Sequence, residues 1–467
     1  MPIASVDPAT GETVRTFAPH DDAFVDTALA RASDAAAAWR RVSPGTRAAV
    51  LARAADVLDR RRDEFARLMT LEMGKTLTAA RDEAAKCALA CRYYAEHGPG
   101  FVADEVLVDE PAGVGRVRYD PLGVVLAVMP WNFPFWQVVR FAAPALAAGN
   151  AGVLKHASNV PQCALALEAL FREAGAPLGV FQTLLVESGR VEALVADPRV
   201  AAVTLTGSEA AGAAVGAAAG RALKPSVLEL GGSDPFVVLP SADVAAAARA
   251  AVGARVINNG QSCIAAKRFV VHAAVYDEFV DAVTAGMGAL RVGHPAEAGV
   301  DVGPLATAQI RRDLDDQVRR SVARGARLTC GGAALDGPGF YYAPTVLADV
   351  TPGMAAADEE TFGPVAAVLR AADADDALRL ANATPYGLGA SVWTADAREA
   401  ERFVAGLDAG SVFVNAPVAS DPRLPFGGVK RSGYGRELAA MGLRAFCNAK
   451  TVRVARAAAP GGAPATE

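Results

Sequence analysis

Gly123-Val124-Val125-Leu126-Ala127-Val128, followed at once by Met129-Pro130-Trp131-Asn132-Phe133-Pro134, decides the fold of this chain. The apolar run is continuous, as in a strand buried on both faces of a parallel sheet. It stops at a Pro-bounded turn. In an open parallel sheet that turn lies at a strand's carboxyl end, where ligands bind. Asn132 there brings an amide that can donate to a developing oxyanion. The plain alternative is an Asn in a turn.

Outward from this point, strands and helices alternate. Helix is predicted at 137–148, strand at 152–155, helix at 163–174, strand at 181–186, strand at 201–205 and helix at 209–219. This rhythm implies a doubly wound α/β sheet. A second α/β unit starts near Asp234, with strand 235–239, helix 242–256, strand 268–272 and helix 275–290; Phe413-Val414-Asn415 and the Gly-rich 426–430 close it. The first hundred residues read mainly as helix, at 46–70 and 77–97. Residues 106–119 alternate apolar with polar and read as an exposed β ribbon, with a terminal strand at 452–454. The Ala-, Pro- and Gly-rich tail 457–467 is expected to be disordered. Gly74-Lys75-Thr76 is no phosphate loop, because Met69 stands where the loop needs glycine.

Composition narrows the function. The chain has 467 residues, 52% of them hydrophobic, enough for two or three domains. A net charge of -5 gives no basic surface for nucleic acid or an anionic membrane. No apolar run reaches bilayer length, and the start carries no charged n-region or apolar h-region, so a cytoplasmic chain is expected. Six cysteines are scattered and five histidines stand alone, so neither a disulfide framework nor a metal site is expected.

Chemistry concentrates in two segments. Cys263 sits in Asn258-Asn259-Gly260-Gln261-Ser262-Cys263, a polar loop that suits a nucleophile. Glu229 lies in Leu228-Glu229-Leu230-Gly231-Gly232, where paired glycines admit a close ligand. A thiol that attacks and a carboxylate that later activates water suggest covalent catalysis. Thr206-Gly207-Ser208 opens a helix, and its N-terminus suits a phosphate as well as a simple N-cap at Ser208. Lys155 reads equally as a surface lysine or a cofactor contact. Glu360-Thr361-Phe362-Gly363-Pro364 offers a carboxylate for ribose hydroxyls and an aromatic for a flat ring, or merely a turn with a core Phe.

Taken in order, the segments 129–134, 206–208, 228–232, 260–263, 360–364 and 425–433 resemble the NAD(P)-dependent aldehyde dehydrogenase superfamily along nearly the whole chain. Lys155-His156-Ala157-Ser158-Asn159, residues 229–235 and Ala419-Ser420-Asp421 resemble the bacterial succinate-semialdehyde dehydrogenases of short type. The resemblance implies two doubly wound α/β domains plus a small β oligomerisation ribbon. It assigns 1–102 and 122–233 to the cofactor domain, 234–435 to the catalytic domain, and 103–121 and 436–456 to oligomerisation elements. A homodimer or homotetramer is expected.

The same resemblance implies the site. Cys263 is the nucleophile, Asn132 and the Cys263 backbone N–H hold the oxyanion, and Glu229 is the general base. Cofactor contacts fall on Met129, Trp131, Lys155, Ser158, Thr206, Gly207, Ser208, Leu230, Glu360 and Phe362. NAD-preferring relatives carry Glu where this chain has Ser158, so NADP is expected in preference to NAD, with Lys155 and His156 supplying positive charge. Arg140, Ser420 and Arg423 are the candidate ligands of a substrate carboxylate. Arg140 reads alternatively as one half of an internal salt bridge, and Ile257 replaces a second arginine found in some relatives. Oxidation of succinate semialdehyde to succinate is expected. The alternatives are another short-chain aldehyde, acyl transfer to coenzyme A, and a non-catalytic binding protein.

Overall fold

The computed structural model describes residues 3–456, so the tail 457–467 lies outside the described residues. Two sheets dominate. The six-stranded sheet runs, edge to edge, Gly433–Tyr434, Ser226–Glu229, Val200–Thr206, Val124–Met129, Ala151–His156 and Phe181–Thr183. All neighbours are parallel except the first pair. The apolar run of the opening motif is the strand Val124–Met129, and it lies in the middle. Chain order reverses on either side of it, so the turn after Met129 sits at the switch point where open sheets bind ligands.

The seven-stranded sheet runs Arg327–Cys330, Thr345–Ala348, Val365–Ala371, Ala266–His272, Asp234–Val238, Gly389–Trp393 and Ser411–Val414. Only its first pair is antiparallel. The chain passes from the carboxyl end of Ser226–Glu229 directly to the amino end of Asp234–Val238. Both sheets are thereby joined at residues 230–233.

A third sheet pairs Cys447–Ala455 with Gly113–Pro121 and that strand with Glu105–Glu110. Its outer strand leaves Val106 58% and Leu107 69% exposed. Residues 436–456 do more than extend this ribbon, since the helix Ala439–Arg444 packs against the helix Trp136–Ala148.

Trp136–Ala148 is buried on every face, as its apolar sequence requires. Gln137 and Arg140 are its polar exceptions, three residues apart and hence on one side. That side faces the site described below.

The chain departs from the sequence reading in three places. Residues 3–17 form a hairpin, Ile3–Val6 with Thr13–Phe17, within a region read as helical. Its turn is set by Asp7, which accepts from Ala9 N–H, and by Gly11 at φ +80°. The helix expected over 46–70 breaks at Arg61 into Pro44–Arg60 and Arg62–Met73. The break falls in the run Arg60-Arg61-Arg62, whose like charges diverge to Glu173, Glu64 and Asp59. The strand expected at 181–186 stops at Thr183. Among the described residues, no helix is long and apolar enough to cross a membrane, and no group of three His, Cys, Asp or Glu could hold a metal ion.

Gly433, at φ +110°, lets its strand close on the edge beside Glu229; a Cβ there would clash with Leu228 O. Gly433→Ala should therefore destabilise the protein by about 1–3 kcal/mol through strain and overpacking. Gly45→Ala, in helix Pro44–Arg60 with nothing within 4 Å of its added methyl, should hold or raise the melting temperature. Thermal melts of the two variants check this. A Gly433→Ala melt equal to wild type would show the edge strand to be dispensable.

Candidate active site

Cys263 precedes the strand Ala266–His272, at the amino end of the second sheet, in a loop of unusual backbone. Asn258 (φ 57°), Asn259 (φ 59°) and Gly260 (φ 77°) are all left-handed. The two Asn side chains stabilise a conformation that few other residues tolerate. Asn259 Nδ2 donates to Gly74 O (2.8 Å) and Pro304 O (3.0 Å), and Gly303 N–H donates to Asn259 Oδ1 (2.9 Å). Asn258 Nδ2 donates to Asn132 O (2.7 Å) and Gln261 O (3.1 Å). Gly260 touches backbone at Gly363, where a Cβ has no room.

This loop locks onto the turn that follows Val124–Met129. Asn132 Nδ2 donates to Gln261 O (3.1 Å), which fixes the amide plane and leaves its second N–H free to aim elsewhere. Lys267, fully buried, donates to Ser262 O (2.9 Å) and Cys263 O (2.8 Å) and lies 3.4 Å from Glu360 Oε1. Sequence reasoning did not find Lys267; it reads as one more basic residue beside a strand.

Two cavities of about 230 Å³ each meet at Cys263 and Gln137. Trp131, Asn132, Thr206, Gly207, Ser208, Glu360 and Phe362 line one of them. Here the helix Glu209–Arg221 presents its N-terminus, capped by Ser208 Oγ on Ala211 N–H (3.4 Å). Glu360 accepts from Gly232 N–H (3.1 Å), and Gly231 is bare where a Cβ would sit 2.6 Å from Glu360 Oε2. Trp131 and Phe362 meet edge to face at 5.7 Å. A helix N-terminus, a carboxylate and paired aromatics fit a dinucleotide's phosphate, ribose and flat ring.

Four expected cofactor residues do not line this cavity. Met129 is buried beneath the turn. Leu230 packs on Gly212, so closely that a Cβ at Gly212 would be excluded, and sets the distance between helix and strand. Lys155 lies at the end of Ala151–His156, 7% exposed and without an ion pair among the described residues; burial lowers its pKa. Ser158 follows it, its carbonyl accepting from Ala4 N–H (3.0 Å). The charge expected from His156 is not there. Its ring is buried between Pro134 O (2.9 Å) and Met129 O (3.3 Å), and burial pushes its pKa down to about 4.

The second cavity has largely apolar walls, including Phe133, Trp136, Ile264 and Phe426, with Ile257 beside them. Arg140 lines it, yet its guanidinium pairs with Glu437, donates to Thr206 Oγ1 (3.2 Å) and stacks over Phe426 at 4.6 Å. The internal-salt-bridge alternative is thus realised, while one face of Arg140 still borders the cavity. Ser420 lines it as expected. Arg423 does not: its guanidinium forks onto Asp421 and its side chain is 75% exposed. The reason is local, since Asp421 stands two residues away and takes the charge first. Lys86, Trp136 and Gln137 also line this cavity and were not singled out in the sequence. Lys86 lies in an Ala-rich helix with nothing local to mark it.

Glu229 lines neither cavity. It is 2% exposed, beside Gly427, where a Cβ would fall 2.7 Å from its Oε1, and neither oxygen has a donor among the described residues. Burial raises its pKa well above the carboxylate range; Arg140 opposes this and Glu437 adds to it. Cys263 is also held neutral: burial pushes the thiol up to about 12, against the pull of Arg140 and Lys267.

Residues 1–452 match the aldehyde dehydrogenase family. The succinate-semialdehyde dehydrogenase [NADP(+)] 1 of Mycobacterium tuberculosis is 58% identical over 462 residues, covering 97% of this chain and 100% of its own. A crystal structure of succinic semialdehyde dehydrogenase from Streptococcus pyogenes, in complex with NADP+ as the cofactor, superposes with a TM-score of 0.94 at 36% identity, covering 97% of this chain and 100% of its own. Another, of succinate-semialdehyde dehydrogenase from Burkholderia pseudomallei, gives 0.94 at 37% identity, covering 98% and 95%.

A thiol pushed up to about 12 reacts only through its small thiolate fraction. Iodoacetamide should therefore label Cys263 in the free protein with a rate that climbs about tenfold per pH unit from about pH 7 to about pH 10, without levelling. Mass spectrometry of the Cys263 peptide reads the rate. A plateau below about pH 9 would contradict the neutral thiol.

Proposed function

The chain belongs to the aldehyde dehydrogenase family, and on that premise we propose that it oxidises succinate semialdehyde to succinate with NADP+ through a thioester on Cys263. The observation that carries this reading is the position of Cys263, the thiol that borders both cavities. The relatives above supply the substrate and cofactor by name.

The cofactor cavity fits NADP+ by its helix N-terminus, Glu360 and the Trp131–Phe362 pair. Ser158 in place of a carboxylate and Lys155, without an ion pair among the described residues, suit a ribose 2′-phosphate, which a Glu would repel. When bound, NADP+ supplies the hydride acceptor.

The protein's own residues do the rest. Cys263 releases its proton to solvent, the thiolate sulfur bonds to the aldehyde carbon, and the carbonyl π pair moves onto oxygen as an alkoxide. The free N–H of Asn132 and the Cys263 backbone N–H face that charge; one such donor is typically worth about 3–4 kcal/mol in the transition state. Gln261 holds the amide in place, so little reorganisation is needed. Loss of hydride leaves a thioester. Glu229, once it has released its own proton to solvent, turns from the Gly427 side and takes a proton from water, and the hydroxyl displaces the thiolate as the carboxylic acid forms. Because the base and the thiol are both neutral at rest, activity should rise with pH as they ionise. The apolar walls and the cationic rim of the other cavity suit a short chain ending in a carboxylate.

The protein is read as two working halves, with 1–102 and 122–233 carrying the cofactor and 234–435 the thiol. The exposed outer strand Glu105–Glu110 offers free backbone groups for pairing with a second copy, as a dimer or tetramer.

A panel of succinate semialdehyde, butanal and glyceraldehyde, each with NADP+ and NAD+, tests the proposal. The highest kcat/KM should fall on succinate semialdehyde with NADP+. Equal or greater kcat/KM for butanal would replace the carboxylate substrate, and a clear NAD+ preference would replace the cofactor. Acyl-CoA formed on adding coenzyme A would replace hydrolysis.

Glu229→Gln should form about one equivalent of NADPH per site in a burst and then fall by roughly two to four orders of magnitude in turnover. Rapid mixing with absorbance detection reads both phases. Steady-state turnover equal to wild type would remove Glu229 from the mechanism.

A further inference from the structure

Charge bookkeeping in the substrate cavity singles out one side chain. Two cations line it, Arg140 and Lys86. The Arg140 charge is already matched by Glu437. Of the carboxylates on the cavity wall, Glu83 is matched by the buried Lys75 and accepts from Phe135 N–H (2.9 Å) and Trp136 N–H (2.8 Å), and Asp82 is exposed. Asp421, the other acid near Lys86, is held by the Arg423 fork.

Lys86 is left without an ion pair among the described residues. Its Nζ donates to Ser420 Oγ (2.7 Å) and lies 4.4 Å from the centre of the Trp136 ring. A hydroxyl and an aromatic face solvate an ammonium without neutralising it. Its pKa is pushed down to about 8, first by burial and then by Arg140. A charge kept in so apolar a cavity with no counter-ion is unfavourable unless a ligand provides one.

We propose that Lys86 determines specificity: its ammonium, with the Ser420 hydroxyl beside it, takes the substrate's terminal carboxylate while the aldehyde reaches Cys263 in the same cavity. This inference rests on the carboxylate-substrate reading above. It gives Arg140 a different part, as a residue that shapes the cavity and holds Glu437, and it explains Arg423, which keeps Asp421 from occupying Lys86. Ile257 contributes no charge to the same wall, so Lys86 supplies the only unmatched cation among the described lining residues.

The test compares kcat/KM for succinate semialdehyde with that for butanal in wild type, Lys86→Met, Lys86→Gln and Lys86→Arg. Both neutral variants should lower the ratio by roughly ten- to a hundredfold, mainly through the KM for the semialdehyde, the range expected for one charge-assisted hydrogen bond. Lys86→Arg should recover part of it. A ratio held at the wild-type value in both neutral variants overturns the Lys86 inference and leaves the substrate reading standing. A wild type with no preference for the semialdehyde overturns the substrate reading and this inference with it. Labelling of wild-type Lys86 by acetic anhydride gives an answer that needs no variant. Saturating succinate should protect Lys86 several-fold and uncharged succinamide should not; equal labelling in both overturns the proposal.

Discussion

Three successive left-handed residues, Asn258, Asn259 and Gly260, are the constraint on which the site depends. A backbone so coiled is unfavourable on its own, and most of the polar groups that offset it belong to other parts of the chain. Asn259 reaches Gly74 and the 303–304 segment, Asn258 reaches the turn at Asn132, and Gly260 lies flat on Gly363. The loop is therefore held jointly by both sheets and the helical layer. Its strain places Cys263 at the seam between the sheets, against the oxyanion donor and against Glu360.

Burial keeps the reactive groups at that seam neutral in the resting protein, against the pull of the cations Arg140 and Lys267. Buried Lys267 and half-buried Glu360 lie near each other by the Cys263 carbonyl, with Asp234 close enough to be felt by both. On the other side, Arg140 is shared between Glu437 and the neighbourhood of Glu229. Burying so many ionisable groups raises the free energy of the folded state unless they are paired. The pairs that exist fix loops and walls; among the described residues neither Cys263 nor Glu229 has an ion pair of its own.

Much of this was legible in the residues. The continuous apolar strand and its Pro-bounded turn gave the switch point, because a strand buried on both faces must lie inside a parallel sheet. Cys263, Asn132, Trp131, Thr206 to Ser208, Glu360 and Phe362 were found from motifs, and they converge on adjoining cavities. Their motifs are local: each is a turn or helix start whose chemistry depends on its own few residues. The hairpin at 3–17, the break at Arg61, Lys267 and Lys86 were not legible. Each depends on a partner far away in sequence, such as Ser158 for Ala4 or Ser420 for Lys86.

The amino-acid sequence alone determined the fold class, the family and the residues able to carry covalent chemistry, because hydrophobic periodicity and turn chemistry act over short distances along the chain. Tertiary structure decided which charges remain free. It paired Arg140 with Glu437, turned Arg423 outward to Asp421, silenced His156 by burial, withdrew Glu229 from the cavity walls and left Lys86 without an ion pair among the described residues. The physical reason is that a side chain's charge state and reach follow from its desolvation and its nearest opposite charge, and both are set by packing between segments that the sequence keeps hundreds of residues apart.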